Sequence, residues 1–214
     1  VGDGRELARR GFRAVLVDHR GHGRSSGNFL SYGARETRDM RQLLDALARR
    51  ELLAPPLAVL GFSYGAAVAV QLAGRDRRVR AAVAVAPFVS LREIAEAYLR
   101  RLAPLVHHLV DAGDLDRAIA AAGVRGGFAP WRASPLRAIR FIRGELLLIH
   151  GRADAHIPFA HSQRLLAAAP KGRARLLAID GADHISVMGH PRARREMMVF
   201  LEQKLPSPPA TRAP

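Results

Sequence analysis

The stretch "VLGFSYGAAVAV", residues 59–70, sets an apolar run against Gly61, Ser63 and Gly65 and then continues as a second, alanine-rich apolar run. A buried strand that reverses sharply into a helix explains this spacing, because the chain at such a reversal adopts backbone angles and close approaches that glycine tolerates. Ser63 would stand at the apex of the turn with its hydroxyl exposed at the edge of the sheet. The absence of a Cβ at Gly61 and Gly65 would let helix and strand close on one another. The same five residues also fit an ordinary strand-to-helix loop in which Ser63 is the N-cap, so the rest of the chain has to decide.

Working outward, apolar β-type runs alternate with helical patterns. The strand candidates are "FRAVLVD" (12–18), "PLAVLGF" (56–62), "RAAVAVAP" (80–87), "GELLLIHG" (144–151) and "RARLLAID" (173–180). Strands this continuously apolar belong to a parallel sheet covered on both faces. Helical candidates lie at 34–50, 64–74, 160–169 and 190–204, the first carrying Met40, Leu43, Leu44 and Leu47 as one apolar stripe. The order predicts a doubly wound, mostly parallel α/β fold with right-handed crossovers. Residues 88–141 are helical for longer than a simple crossover needs and read as a small helical cap inserted into one domain spanning 1–205. The tail "PSPPATRAP", 206–214, has no apolar period and reads as disordered.

The chain has 214 residues, 49% of them apolar and 25% charged, which suits a single α/β domain with a substantial core. It has no run of 18 apolar residues and no secretory signal pattern, so we expect a cytoplasmic protein without a membrane span. Zero cysteines exclude disulfides, thiolate metal sites and a cysteine nucleophile. The net charge of +15 raises the question of nucleic acid, since clustered cations gain affinity by releasing counterions. The basic residues are nearly all arginine and are scattered as "LARR", "RDRRVR", "YLRR" and "RARRE", with no interleaved aromatics and no zinc-finger or RNA-binding motif. Nucleic acid is therefore not the expected partner. A small-molecule acyl substrate is, and the sequence says nothing of oligomeric state.

In open parallel sheets functional groups gather beyond the carboxyl ends of the strands. Asp154 follows the strand at 144–151 and His184 follows the strand at 173–180. A serine hydroxyl becomes a useful nucleophile when an imidazole takes its proton and a carboxylate holds that imidazole. Asp180 and Asp183 also lie near His184 in sequence, one closing a strand and the other adjacent to the histidine, so both compete with Asp154. His156 and His161 beside Asp154 raise a metal site, but no second carboxylate stands at ligand spacing; we expect neither metal nor cofactor. His150, at the end of an apolar strand, reads as a hydrogen-bonded structural histidine, and His107 and His108 as a solvated helix face. In "DHRGHGRSSG", 18–27, Gly21 and Gly23 allow a tight turn, and Arg20, Ser25 and Ser26 read as scaffold that hydrogen-bonds the backbone near Ser63.

Four segments together, "RGFRAVLVDHRGHGRSSG", "GFSYGAAVA", "LLLIHGRADAHIP" and "IDGADHISV", resemble the α/β-hydrolase superfamily, in its esterase, lipase-like and serine-aminopeptidase-like branch. The resemblance covers most of residues 5–204. It implies Ser63 as nucleophile, Asp154 as the acid, His184 as the base and the backbone N–H of Tyr64 as one oxyanion donor. Serine at the turn, where haloalkane dehalogenases and epoxide hydrolases of the superfamily carry aspartate, implies acyl transfer to water. The superfamily also implies a further strand upstream of Val1, ending in a His-Gly-type loop that gives a second oxyanion donor and lying in the sheet between the strands at 12–18 and 56–62. Neither is present in this sequence, and Val1 stands where a Met would begin a gene. We therefore expect the N-terminal strands to be absent and a gap in the centre of the sheet, with a serine hydrolase as the leading function. An impaired hydrolase-like domain acting as a binding protein is the alternative.

Overall fold

The computed structural model describes residues 2–53 and 55–205. The tail expected to be disordered, 206–214, lies outside them. Four parallel strands, β1 (Leu57–Phe62), β2 (Val79–Val85), β3 (Glu145–Gly151) and β4 (Ala174–Ile179), pair in the order β1-β2-β3-β4. Each falls within two residues of its apolar run. α1 (Gly2–Arg9), α2 (Glu36–Arg49), α3 (Tyr64–Arg75), α8 (Ala160–Ala168) and α10 (Pro191–Lys204) flank the sheet, with α9 (Ser186–Gly189) leading into α10. Among the described residues no helix is long and apolar enough to cross a membrane.

Because successive strand residues point to opposite faces, β2 and β3 each feed two cores. Val83, Val85, Leu147 and Ile149 pack toward Met197, Met198 and Leu201 of α10. Ala82, Ala84, Leu146 and Leu148 pack toward Ala66 and Val70 of α3, with Leu44 of α2 and Leu165 of α8 completing that side. All of these residues are buried, which accounts for the continuous apolar runs 81–85 and 146–149 of the two central strands.

Between β2 and β3 the chain forms α4 (Leu91–Leu102), α5 (Pro104–His107), α6 (Ala112–Gly126) and a short α7 (Pro135–Ala138). Ser90 caps α4 by accepting from the Glu93 N–H, and Asp111 and Asp114 form a reciprocal capping box at the start of α6. Ile94 of α4 joins Phe88, Ala67 and Ile157 in a third apolar cluster, against which Tyr32 and Tyr98 pack. Beyond α7 the chain returns to the main core, where Ile139 and Ile142 are buried with α3.

One expected strand does not form. Residues 12–18 form no strand, and among the described residues the backbone of 13–17 makes no backbone hydrogen bond. Val15 and Leu16 are 53% and 60% exposed. The physical reason is a slot of about 650 Å³ between this segment and β1, lined by Val15, Leu16, Met40, Val59, Leu60 and Gly65 among others. β1 is the sheet edge facing that slot, and it is only half-buried although its sequence is as apolar as that of β2. A strand is a strand by virtue of its neighbour, and neither 12–18 nor the outer side of β1 has one.

Candidate active site

β1 runs into α3 through Ser63, whose φ of 50° and ψ of −112° are unusual for a residue with a side chain. Its N–H donates to the Val85 carbonyl at 2.8 Å, tying the turn to the end of β2. The two glycines turn out to be unequal. A Cβ on Gly61 would come within 2.1 Å of the Gly65 carbonyl oxygen, so the strand and the first turn of α3 approach as closely as the motif implied. At Gly65 a Cβ would meet nothing within 4 Å, because that position faces the open slot. The expected tight packing at Gly65 is thus not seen, for want of anything there to pack against.

Ser63, His184 and Asp154, from three different strand ends, come together in one line. His184 Nε2 is 3.0 Å from Ser63 Oγ, and His184 Nδ1 is 2.7 Å from Asp154 Oδ2. Asp154 Oδ1 accepts the N–H groups of His156 and Ile157, each at 2.8 Å. Burial pushes the Asp154 carboxyl up, but hydrogen bonds from His150, His184 and the Ile157 N–H outweigh it and hold the group well below the usual carboxylate range. The competing aspartates go elsewhere. Asp180 is exposed and pairs with Arg152 at 2.7 Å, while Asp183 is exposed and accepts from the Ile185 and Ser186 N–H groups at the start of α9.

The segment 18–27 approaches Ser63 differently from expectation. Arg20 does not bond the backbone near Ser63; its guanidinium forks onto both oxygens of Asp39 on α2 at 2.6 Å, the planar geometry arginine favours for carboxylates. Ser25 Oγ donates to the Asp18 carbonyl within its own turn. His22 and His19 instead lay their rings against Tyr64, with centroids 5.2 and 6.2 Å away. His161 is buried, its Nδ1 accepting the Val89 N–H at 3.2 Å, and His156 stacks on His184 with ring centroids 5.1 Å apart. His107 and His108 sit at α5 with their rings edge to face. Among the described residues no group of three His, Cys, Asp or Glu side chains is arranged to hold a metal ion.

Glu36 escaped the sequence reading. It is fully buried at the start of α2, where its carboxylate accepts from Ser31 N and Gly33 N at 2.9 and 2.8 Å. Burial raises its proton affinity, but the Ser31 donors and the Tyr64 hydroxyl outweigh that and keep it ionised below the usual range. Burial first and this carboxylate second push the Tyr64 phenol well above its ordinary value, and its oxygen accepts the Tyr32 N–H at 3.3 Å. The signal was available in "SYGARE", 31–36, where Ser, Gly and Glu are spaced as a loop that folds back on its own carboxylate.

Residues 3–124, more than half of the chain, match the sequence profile of the serine aminopeptidase S33 family. The chain belongs to that family. It is 29% identical over 195 residues to the uncharacterized protein YqkD of Bacillus subtilis, covering 90% of this chain and 63% of that one. It is 25% identical over 209 residues to the uncharacterized peptidase YuxL of the same organism, covering 91% of this chain and 30% of YuxL. The chain thus spans less than two thirds of these S33-like relatives. In three dimensions it is similar to the Pyrococcus furiosus esterase Pf2001, with a TM-score of 0.69 at 20% identity over 92% of this chain and 73% of that one. A likeness of the same order links it to the α/β hydrolase GrgF from Penicillium sp. sh18, with a TM-score of 0.70 at 18% identity over 95% and 83% of the two chains. At such identities the two structures speak for a shared α/β-hydrolase fold.

Proposed function

We propose that this S33-family chain is a serine hydrolase that cleaves an ester, thioester or amide of a small to medium acyl substrate through an acyl-enzyme. The observation that carries the reading is the hydrogen-bonded line Ser63–His184–Asp154, with Ser63 held in a backbone conformation that few side-chain-bearing residues adopt. Ser63 Oγ attacks the carbonyl carbon while His184 Nε2 takes its proton, and Asp154 stabilises the imidazolium that results. The oxygen of the tetrahedral intermediate accepts the Tyr64 N–H at the first turn of α3, where the helix dipole also favours negative charge. His184 then gives the proton to the leaving oxygen, sulfur or nitrogen as its bond to carbon breaks. Water repeats the sequence on the acyl-serine and releases the acid.

α4–α6 act as a cap in this reading, its residues Ile94 and Tyr98 packing with Phe88 in an apolar cluster, and a cap of that character suits an uncharged acyl group. The printed names of the relatives, a peptidase and an esterase, agree with acyl transfer and leave the leaving group open. The test is labelling with a fluorophosphonate probe followed by peptide mapping, together with hydrolysis of short p-nitrophenyl esters. Ser63 should carry the label, and Ser63→Ala should lose both label and turnover. Labelling that persists in Ser63→Ala would overturn the assignment.

A further inference from the structure

Behind Asp154 stands a second imidazole. His150, at the end of β3, has no exposed surface. Its Nε2 is 2.8 Å from the Ile157 carbonyl oxygen, which can only accept, so this nitrogen carries a proton. The same nitrogen lies 3.3 Å from Asp154 Oδ2, the oxygen that takes His184 Nδ1. On the far side of the ring, His150 Nδ1 is 2.7 Å from Ser162 Oγ, itself fully buried in α8, and Phe159 meets the ring edge to face at 5.8 Å. Five side chains therefore form one line, Ser162–His150–Asp154–His184–Ser63, running from α8 to the turn before α3.

We propose that His150 is a positioning residue for Asp154, which sets how firmly that carboxylate holds the His184 imidazole. The inference rests on the reading of Ser63, His184 and Asp154 given above. Two imidazoles share one carboxylate oxygen. The N–H of His150, bonded to the Ile157 carbonyl, also sets its positive end beside Oδ2, drawing negative charge there away from His184 Nδ1 and favouring one orientation of the carboxylate. Without it Asp154 would hold the His184 proton more tightly, making His184 a stronger base in a less fixed orientation. The remaining titratable groups against this pair are His156, stacked on His184, and Tyr98, His161 and Asp183, all close enough to sense the Asp154 charge. His150 Nε2 is the nitrogen that, besides His184 Nδ1, comes within 3.3 Å of Oδ2. His150 has the geometry to act on it.

The test compares pH profiles of kcat/KM for p-nitrophenyl butyrate in wild type, His150→Phe, His150→Phe/Ser162→Ala and His150→Gln. Phenylalanine fills the ring volume without a donor, and the double variant also removes the hydroxyl that the first leaves unpaired. Both should lower kcat on the order of tenfold with little change in KM, the scale at which outer partners of functional histidines act. Both should move the acid limb upward by about 0.5 pH unit or more. Glutamine, whose amide N–H reaches toward the Nε2 position, should restore most of both. Wild-type limbs in the Phe variants, or a loss confined to thermal stability, would overturn the role of His150 while leaving Ser63 labelling intact. Failure of wild type to label at Ser63 would instead overturn the underlying reading. Should the Phe variants not fold, nitrogen NMR of 15N-histidine wild type decides, with the His150 signals assigned from His150→Gln: a proton on Nε2 is required, and a ring protonated at Nδ1 alone refutes the proposal.

Discussion

Asp154 accepts two backbone N–H groups on Oδ1 and the His184 imidazole on Oδ2, with His150 Nε2 a further 3.3 Å contact on that oxygen. Asp154→Asn removes the charge that stabilises an imidazolium and should lower turnover by roughly 10³ to 10⁴, as in other serine triads. Asp180→Asn and Asp183→Asn, both at exposed carboxylates, should stay near wild type, and equal losses for all three would leave the acid unassigned. The same carboxylate predicts a pH dependence of stability. Its folded-state pKa lies below the unfolded value of about 3.9, so its contribution is fully present above that pH and is lost as the pH falls toward the folded value. Urea unfolding at pH 7 and pH 3 should therefore show a smaller acid-induced loss of stability in Asp154→Asn than in wild type. Ser63, Asp154 and His184 were legible because each follows an apolar run at a sheet's carboxyl end. The second donor to the carboxylate was not, since in sequence His150 is only the last polar residue of a buried strand.

Among the elements, β2 and β3 were legible because both faces are covered, so that Ala81–Val85 and Leu146–Ile149 had to be apolar. Residues 12–18 carry the same apolar spelling yet form no strand, because the gap expected between them and β1 leaves them without a neighbour to bond: composition records what a segment would bury, not whether that neighbour is present. The difference is measurable in native-state hydrogen exchange. Amides of β2 and β3 should exchange only on global opening, whereas those of 13–17 and of alternate β1 residues facing the slot should exchange far faster. Equal protection across all of them would mean that the slot is closed in solution. The helices were easier to read, as their apolar stripes meet the core directly. Glu36 was overlooked because a carboxylate in a first turn is ordinarily a solvated partner of the helix dipole, and here a loop wraps it instead.

On the scale of the whole molecule, the sheet offers water an edge that sheets of this kind normally hide. Val15, Leu16 and Val17 lie across the slot from β1, and among the described residues neither the backbone of 13–17 nor the outer side of β1 is paired. An edge with that character is a template for another extended chain, including the edge of a second molecule. Opposing it is the +15 charge, which makes every encounter between two copies repulsive. The range of that repulsion is set by the solvent, about 30 Å at 0.01 M salt and about 3 Å at 1 M. The protein should accordingly behave as a charge-stabilised colloid. Light scattering at fixed concentration should stay flat in dilute buffer and climb steeply with added sodium chloride, with amyloid-binding dye fluorescence rising alongside it. A flat trace up to 1 M salt would mean that the edge is not adhesive. Solubility, for this chain, would then be a property of ionic strength as much as of sequence.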